Sequence, residues 1–298
     1  MNWYKVNLTC NNVDANLIEE ILVGYEAISI SIFDENGDSQ IYEPGVGKTP
    51  LWNIIRICAL FDKNITKEII VLILKGIPYT NLNISSLEDQ NWVKKYQENF
   101  KPIKYGERLW VVPSWCSGFK KKGSVILKLD PGMAFGSGSH ETTHLCLEHL
   151  EKTKLDGLTI LDYGCGSGIL SIASLVLGAK RAIATDIDPQ ALKSTKENSR
   201  NNNVVDKLDI VQPDSIPNIK IDLLLANIFS NILIDCRNTF SNILEPEARI
   251  VLSGIMKNQL KIVVEYYDKF FTMEKVEIRK DWCLVELKRN NNLANENS

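Results

Sequence analysis

Apolar positions in the first 85 residues switch between the spacing of strands and the spacing of helices. Strand-like runs cover 3–8, 28–33, 52–61 and 79–84, and helical spacing covers 13–27 and 65–75. The resulting order, β-α-β-β-α-β, predicts a ferredoxin-like α+β domain over residues 1–85.

From Thr159 onward, short apolar strands alternate with helices, as in a parallel α/β sheet. The strands are predicted at 159–163, 182–186, 208–211, 222–228, 248–253 and 282–287, and helices at 169–178 and 189–201. We therefore predict a parallel, Rossmann-like α/β domain over residues 102–290, with its ligand at the carboxyl ends of the strands.

Residues 86–101 connect the two predicted domains. Ser86, followed by Glu88 and Asp89, is a helix-start signal. The apolar positions that follow share one helical face: Trp92, Val93, Tyr96 and Phe100. This pattern predicts a linker helix over 86–101, whereas residues 291–298 have no periodicity and are predicted to be disordered.

Composition places the chain among globular proteins and excludes a strong overall electrostatic attraction to nucleic acids or membranes. Of its 298 residues, 44% are hydrophobic and 24% charged, and the net charge is -3. That charge gives no overall attraction to DNA or to an anionic membrane. The longest apolar run, 69–74, is far too short to span a bilayer, and the first twenty residues lack the pattern of a signal peptide.

The seven cysteines are scattered, never closer than 19 positions, so no CxxC pair offers a zinc knuckle or a redox site. An odd number of well-separated thiols is typical of reduced cysteines. We therefore expect a cytoplasmic protein.

A glycine-rich turn follows the first strand of the α/β region, in the segment LDYGCGSG at 161–168. Gly164 and Gly166 allow close approach of the backbone to a ligand, and the helix that follows presents unpaired N–H groups. Asp186 ends the next strand, where a carboxylate can accept both hydroxyls of an adenosine ribose.

The spacing of this turn distinguishes between cofactors. The dinucleotide fingerprint needs a small residue at position 169, but Ile169 stands there. Asp162, two residues before Gly164, would repel a pyrophosphate and suits a ligand with an ammonium group. The pattern favours S-adenosylmethionine over NAD.

Two further polar positions lie at or just after predicted strand ends. Asn227 ends a buried strand and could offer its carbonyl oxygen to an incoming amine, although a simple turn residue is the alternative. Asp188 forms an acidic pair with Asp186, but Pro189 after it favours a helix cap over a metal site.

Two motifs are interpreted as coincidental. His140, Glu141 and His144 match H-E-x-x-H, but the third histidine of a metzincin is replaced by Leu150, and Ser139 is typical of a helix N-cap. The segment GVGKT at 45–49 lacks the first glycine of a P-loop. No metal ligand is expected.

A more specific pattern is spread over the chain. It comprises LDPGMAFGSGSHETTHLCLEHL, LDYGCGSGILSIASLVLGA, TDIDPQALKSTKEN, LLANI and LSGI, preceded by LEDQNWVKKYQENFKPIKYGERLWVVPSW. In these segments, and over nearly its whole length, the chain resembles the ribosomal protein L11 methyltransferase family, the PrmA enzymes.

The resemblance implies a class I, S-adenosylmethionine-dependent protein methyltransferase, preceded by a ferredoxin-like domain that recognises ribosomal protein L11. The expected products are trimethylated lysine side chains and N-terminal α-amines on free L11 before assembly, made by a monomer. The family's cofactor contacts fall on Thr143, Gly164, Asp186 and Asn227. Phe135, Gly136 and Gly138 would belong to a loop over the cofactor.

The chain departs from the family pattern at Met133, Ser137, Ser139 and Glu141. Glu141 replaces a usual proline, which creates the apparent zinc motif. Methyltransferases acting on amides or bases resemble one another in an Asn- or Asp-Pro-Pro-Tyr segment, whereas Asn227 is followed here by Ile-Phe-Ser. Other methylation substrates such as rRNA, a zinc peptidase and a ribosome-binding module without transferase activity remain as alternatives.

Overall fold

A computed structural model describes residues 3–35, 52–62, 65–87, 101–116, 118–130 and 140–290. Contacts divide the chain into two compact units, Met1–Lys95 and Tyr96–Ser298. The GVGKT segment at 45–49, the loop of Phe135, Gly136 and Gly138, and the tail at 291–298 lie outside the described residues.

The first unit is a four-stranded antiparallel sheet with two helices. Its elements are β1 (Trp3–Asn11), α1 (Asn12–Gly24), β2 (Ser29–Asp34), β3 (Ile54–Phe61), α2 (Lys67–Ile73) and β4 (Thr80–Leu87). The strand order is β2-β3-β1-β4, with every neighbouring pair antiparallel. All six elements overlap the segments predicted from the apolar spacing.

One face of this sheet forms the core of the first unit. In β3, Ile55, Ile57, Ala59 and Phe61 are buried at every second position. They cluster with buried residues from both helices, among them Ile18 of α1 and Ile70 of α2. The apolar residues with strand spacing and those with helical spacing therefore pack together in one hydrophobic layer.

The predicted helix start at Ser86 is wrong. Ser86 lies in β4 and pairs with Tyr4 of β1, and the strand continues to Leu87. Because β4 pairs with β1 up to Leu87, the strand continues past Ser86, where the local sequence predicted a helix cap. Residues 88–100, the rest of the predicted linker, lie outside the described residues.

The second unit contains a small sheet and a large one. The small sheet has the order β5 (Ile103–Tyr105), β6 (Leu109–Val112), β7 (Val125–Lys128). The large sheet has the order β10-β9-β8-β11-β12-β14-β13. Its strands are β8 (Thr159–Tyr163), β9 (Arg181–Thr185), β10 (Leu208–Val211), β11 (Leu223–Asn227), β12 (Arg249–Met256), β13 (Phe271–Arg279) and β14 (Trp282–Arg289).

Strands β8 to β12 are parallel, and β14 runs antiparallel to both of its neighbours. The helices are α3 (Glu141–Lys152), α4 (Ile169–Val176), α5 (Pro189–Asn201), α6 (Ser230–Ile243) and α7 (Leu260–Tyr267). The strand order reverses between β8 and β11, which confirms the predicted Rossmann-like domain and puts the carboxyl ends of both strands at the switch point of its sheet.

Helices cover both faces of the large sheet, as its continuous apolar strands require. Leu224 and Ala226 of β11 pack in one cluster with Leu233 and Phe240 of α6 and with Val263 of α7. Helices α3, α4 and α5 contact one another in series. No helix in the described ranges is long and apolar enough to cross a membrane.

Candidate functional site

The glycine turn after β8 folds back onto the end of β9. Gly164, Gly166 and Gly168 have φ values of 77°, 54° and 76°, a region that favours glycine. The N–H groups of Gly164 and Cys165 donate to the carbonyl oxygen of Thr185 at 2.8 and 3.0 Å. The turn is thus fixed to the strand that carries Asp186 just beyond its end.

Asp186 lies beside this turn and is itself held by backbone groups. Its Oδ2 accepts from the N–H of Gly166 at 2.9 Å, and its Oδ1 accepts from the N–H of Asp188 at 3.0 Å. The structure thus brings Asp186 and Gly166 together, and the two hydrogen bonds from Gly166 and Asp188 fix the orientation of the carboxylate.

Asp162 lies in β8 and is buried against the first turn of α4, with only 1% of its surface exposed. Its Oδ2 accepts from the backbone N–H of Ser171 at 2.9 Å and from the Ser171 hydroxyl at 2.5 Å. Burial raises the pKa of this carboxyl to about 6, with a smaller contribution from Asp186. Two neighbouring carboxyl groups give the site a negative potential that suits a positively charged ligand.

Asp188 caps α5, as predicted. Its Oδ1 accepts from the N–H of Gln190 at 2.8 Å, and Pro189 occupies the first helical position. The part of the chain that the structure describes contains no group of three or more His, Cys, Asp or Glu placed to hold a metal.

Two residues of α5 support the turn and were not predicted. The Thr195 hydroxyl donates to the carbonyl oxygen of Gly166 at 3.0 Å, and the Asn198 amide donates to that of Ser167 at 2.9 Å. A Cβ at Gly168 would lie 2.6 Å from Thr195 Cγ2. Their spacing of three places them on one helical face, but it does not distinguish them from the other polar residues of this helix.

Asn227 lies at the carboxyl end of β11, paired with Ser253 of β12. The next residue, Ile228, is wedged between two glycines. A Cβ at Gly164 would lie 2.4 Å from Ile228 Cγ2, and a Cβ at Gly254 would lie 2.2 Å from the Ile228 carbonyl oxygen. The chain that carries Asn227 is therefore fixed by close packing on both sides.

We expect Gly254→Ala to lower the free energy of unfolding by about 2 kcal/mol or more. The added methyl group would clash with the backbone of Ile228, and alanine is also strained at the φ of 83° that Gly254 adopts. Gly157→Ala is the matched control, since Gly157 has a φ of 80° and nothing within 4 Å of its Cβ position. Urea denaturation of both variants checks this. Equal losses would show that contact with Ile228 contributes nothing.

The N-cap of helix α3 lies one residue later than predicted. His140 is the N-cap, and its Nδ1 accepts from the N–H of Thr142 at 3.3 Å, so the assignment of the cap to Ser139 is wrong. The His140 ring also contacts Trp282, with 5.0 Å between ring centroids. This contact between distant parts of the chain was not visible in the local sequence.

The apparent zinc motif does not form a metal site. His140 is the N-cap of α3, and its Nδ1 accepts from the N–H of Thr142. The His144 ring instead contacts Tyr105, and Glu141 pairs with Arg279 and Lys280 at 2.5 Å each. Glu141, which would be the general base of a zinc peptidase, therefore forms ion pairs with two basic side chains.

Two buried hydroxyl groups lack partners among the described residues. Thr143 is 1% exposed, on the first turn of α3, and Thr185 is fully buried at the end of β9. The Oγ1 atoms of both are without hydrogen bonds. Buried hydroxyls are nearly always satisfied, so these two fit a site completed by a bound polar group.

His149, at the other end of α3, is buried between two carboxylates. Its Nδ1 lies 3.5 Å from Glu277 Oε1, and its Nε2 lies 3.8 Å from Glu286 Oε2. Lys275 and Arg249 pair with these glutamates at 2.7 and 3.1 Å. Burial lowers the pKa of the His149 imidazole, against the opposite effect of the glutamates.

The lowered pKa of His149 predicts a loss of stability in mild acid. Below about pH 6.5 the unfolded chain binds a proton at this position that the folded chain resists, so stability falls as the pH falls towards the folded pKa. His149→Gln should remove this contribution. Unfolding free energies of both proteins between pH 7.5 and 5 check it; parallel curves would contradict it.

Comparison with known proteins identifies the family. The family model described as ribosomal protein L11 methyltransferase (PrmA) matches residues 2–290. A ribosomal protein L11 methyltransferase from Hahella chejuensis is 37% identical over 291 residues, covering 97% of this chain and 99% of that protein. One from Pseudomonas putida strain GB-1 is 38% identical over 293 residues, covering 97% and 100%.

A solved structure agrees with this match. The crystal structure of a ribosomal protein L11 methylase from Lactobacillus delbrueckii subsp. bulgaricus superposes with a TM-score of 0.59 and 30% sequence identity, covering 64% of this chain and all of that one. The fold is that of a class I methyltransferase. The chain belongs to the ribosomal protein L11 methyltransferase (PrmA) family.

Proposed function

We propose that this chain transfers methyl groups from S-adenosylmethionine to amines of ribosomal protein L11. The proposal rests mainly on which residues lie side by side at the switch point of the sheet. There the glycine turn with Asp186 and the polar residue Asn227 stand at the carboxyl ends of neighbouring strands. Family membership over residues 2–290 supplies the substrate class.

The residues of the site fit this cofactor. Asp186 would accept the ribose hydroxyls, and the backbone at Gly164 and Gly166 would approach the amino-acid part. Asp162, close to Asp186 and buried, would balance the ammonium charge. Thr143, whose buried hydroxyl lacks a partner among the described residues, would donate to or accept from the cofactor.

Phe135 and Gly136 lie outside the described residues, and their proposed role in covering the cofactor rests on the family resemblance. The bound cofactor supplies an electrophilic methyl group on a sulfonium. The protein's task is therefore to hold a neutral amine in line with the methyl–sulfur bond.

Asn227 is the proposed catalytic residue. Its side-chain carbonyl oxygen would accept an N–H of the substrate amine and so direct the nitrogen lone pair towards the methyl group. A lysine amine has an ordinary pKa near 10.4 and must lose a proton before attack. Water would take that proton, and the partly buried site favours the neutral amine.

We further propose the finer details implied by the family. Residues 1–85 would recognise free L11 before assembly, the part of the predicted linker after β4 would connect the domains, and 102–290 would form the transferase domain of a monomer. The products would be trimethylated lysine side chains and α-amines. All seven cysteines are free thiols in the structure, which supports a reducing, cytoplasmic location.

The intact mass of purified L11, after incubation with this protein and S-adenosylmethionine, tests the proposal. Methylene-sized increments that map to lysine or the α-amine are expected, and reactions without cofactor are the control. Demonstrated cofactor binding without any increment on L11 would overturn the substrate assignment and direct the assay to whole ribosomes and rRNA.

A further inference from the structure

Phe229 is an exposed aromatic residue immediately beyond the strand that carries Asn227. It is 55% exposed, although a phenylalanine is usually covered. It precedes the first residue of α6, with φ -60° and ψ 146°, an extended backbone conformation. A large apolar ring is thus open at the edge of the sheet where the proposed site lies.

The backbone at Phe229 is firmly held. Its carbonyl oxygen accepts from the N–H of Leu233 at 3.0 Å, and Ile228 before it is wedged against Gly164 and Gly254. Phe229 follows Asn227 by two residues, with a bend at Ile228 between them, so both residues lie at the carboxyl end of β11. The exposed ring and the amide therefore lie at the same edge of the large sheet.

The two groups recognise an amine differently. A carbonyl oxygen needs an N–H to accept, and an ammonium group has three of them before methylation, two after one methyl group and one after two. Hydrogen bonding to Asn227 therefore has fewer donors available after each transfer. The face of an aromatic ring attracts a cation without any N–H, and methylated ammonium groups are bound in this way by aromatic side chains.

We propose that Phe229 determines the degree of methylation, by holding the mono- and dimethylammonium forms of the substrate beside Asn227 between transfers. This inference rests on the proposed function and deepens it. In each later transfer the ammonium first loses a proton to water. Its lone pair then forms the new N–C bond, while the methyl–sulfur bond breaks and leaves its electron pair on sulfur.

The test compares Phe229→Leu, which keeps apolar bulk without a π face, with Phe229→Tyr, which keeps the ring. Each variant and the parent protein are incubated with L11 and S-adenosylmethionine, and mono-, di- and trimethylated products are resolved by mass at each modified residue. In Phe229→Leu we expect the ratio of trimethyl to monomethyl product to fall roughly tenfold, with the first transfer little changed. Phe229→Tyr should match the parent.

The outcomes separate the inference from the proposed function. If the parent protein adds no methyl group to L11, the proposed function fails. If the parent trimethylates L11 and Phe229→Leu gives the same distribution, or slows the first transfer as much as the later ones, the role of Phe229 is wrong. Binding of S-adenosylhomocysteine and far-UV circular dichroism check each variant, and Phe229→Met replaces the leucine variant if that one does not fold.

Discussion

Replacing Asn227 with alanine should lower turnover on L11 about 100-fold while leaving the affinity for S-adenosylhomocysteine nearly unchanged. Asn227 ends β11 on a segment fixed between Gly164 and Gly254, so the main chain is not expected to move when the amide is removed. What is lost is the acceptor that aligns the substrate nitrogen. Steady-state kinetics and calorimetric titration of each protein separate the two quantities.

Asn227→Asp is the matched control for this prediction. It keeps an oxygen acceptor at the same position and has nearly the same size, so it should recover part of the lost turnover, although its added charge also favours the protonated, unreactive amine. Unchanged turnover in Asn227→Ala, with cofactor binding intact, would remove the proposed role.

The large sheet could be predicted from the sequence because its signals are local. Leu223–Ala226 form an apolar run, and Gly164 and Gly166 mark a turn that needs positive φ. A buried parallel strand needs apolar residues on both faces, and few residues other than glycine tolerate such a turn. Helix α5, predicted at 189–201, likewise has its cap and its proline in the sequence itself.

The parts that the sequence did not predict depend on contacts between distant residues. Helix α3 starts at its observed position with the His140 ring against Trp282, and β4 continues through Ser86 because it pairs with Tyr4. Strand β13 has an exposed, charged face and no regular apolar alternation, so only its pairing with β14 identifies it. Local propensity is overridden wherever such pairing is available.

The same distinction applies to the candidate site. Asp162, Gly164 and Asp186 were predicted from a motif whose spacing reflects two adjacent strands. Thr195 and Asn198 support the same turn from α5, but a polar residue on a polar helix has no distinguishing signal in a single sequence. These supporting contacts were found from the structure alone.

Asp186→Ala should raise the dissociation constant for S-adenosylhomocysteine about 100-fold, equivalent to about 3 kcal/mol. Two effects combine. The proposed hydrogen bonds to the ribose hydroxyls are lost. The N–H of Gly166 also loses its acceptor, Asp186 Oδ2, which lies 2.9 Å away and holds the turn in place. Calorimetric titration measures the constant directly.

Asp188→Ala is the matched control, because it removes the same charge two residues away. Asp188 caps α5 through the N–H of Gln190, so its loss should cost about 1 kcal/mol of stability with little effect on binding. If charge alone attracted the cofactor, the two variants would weaken binding alike, and raised salt would weaken it further. A large effect confined to Asp186→Ala would require its particular position beside the glycine turn, since only there can one carboxylate hold Gly166 and face the ribose.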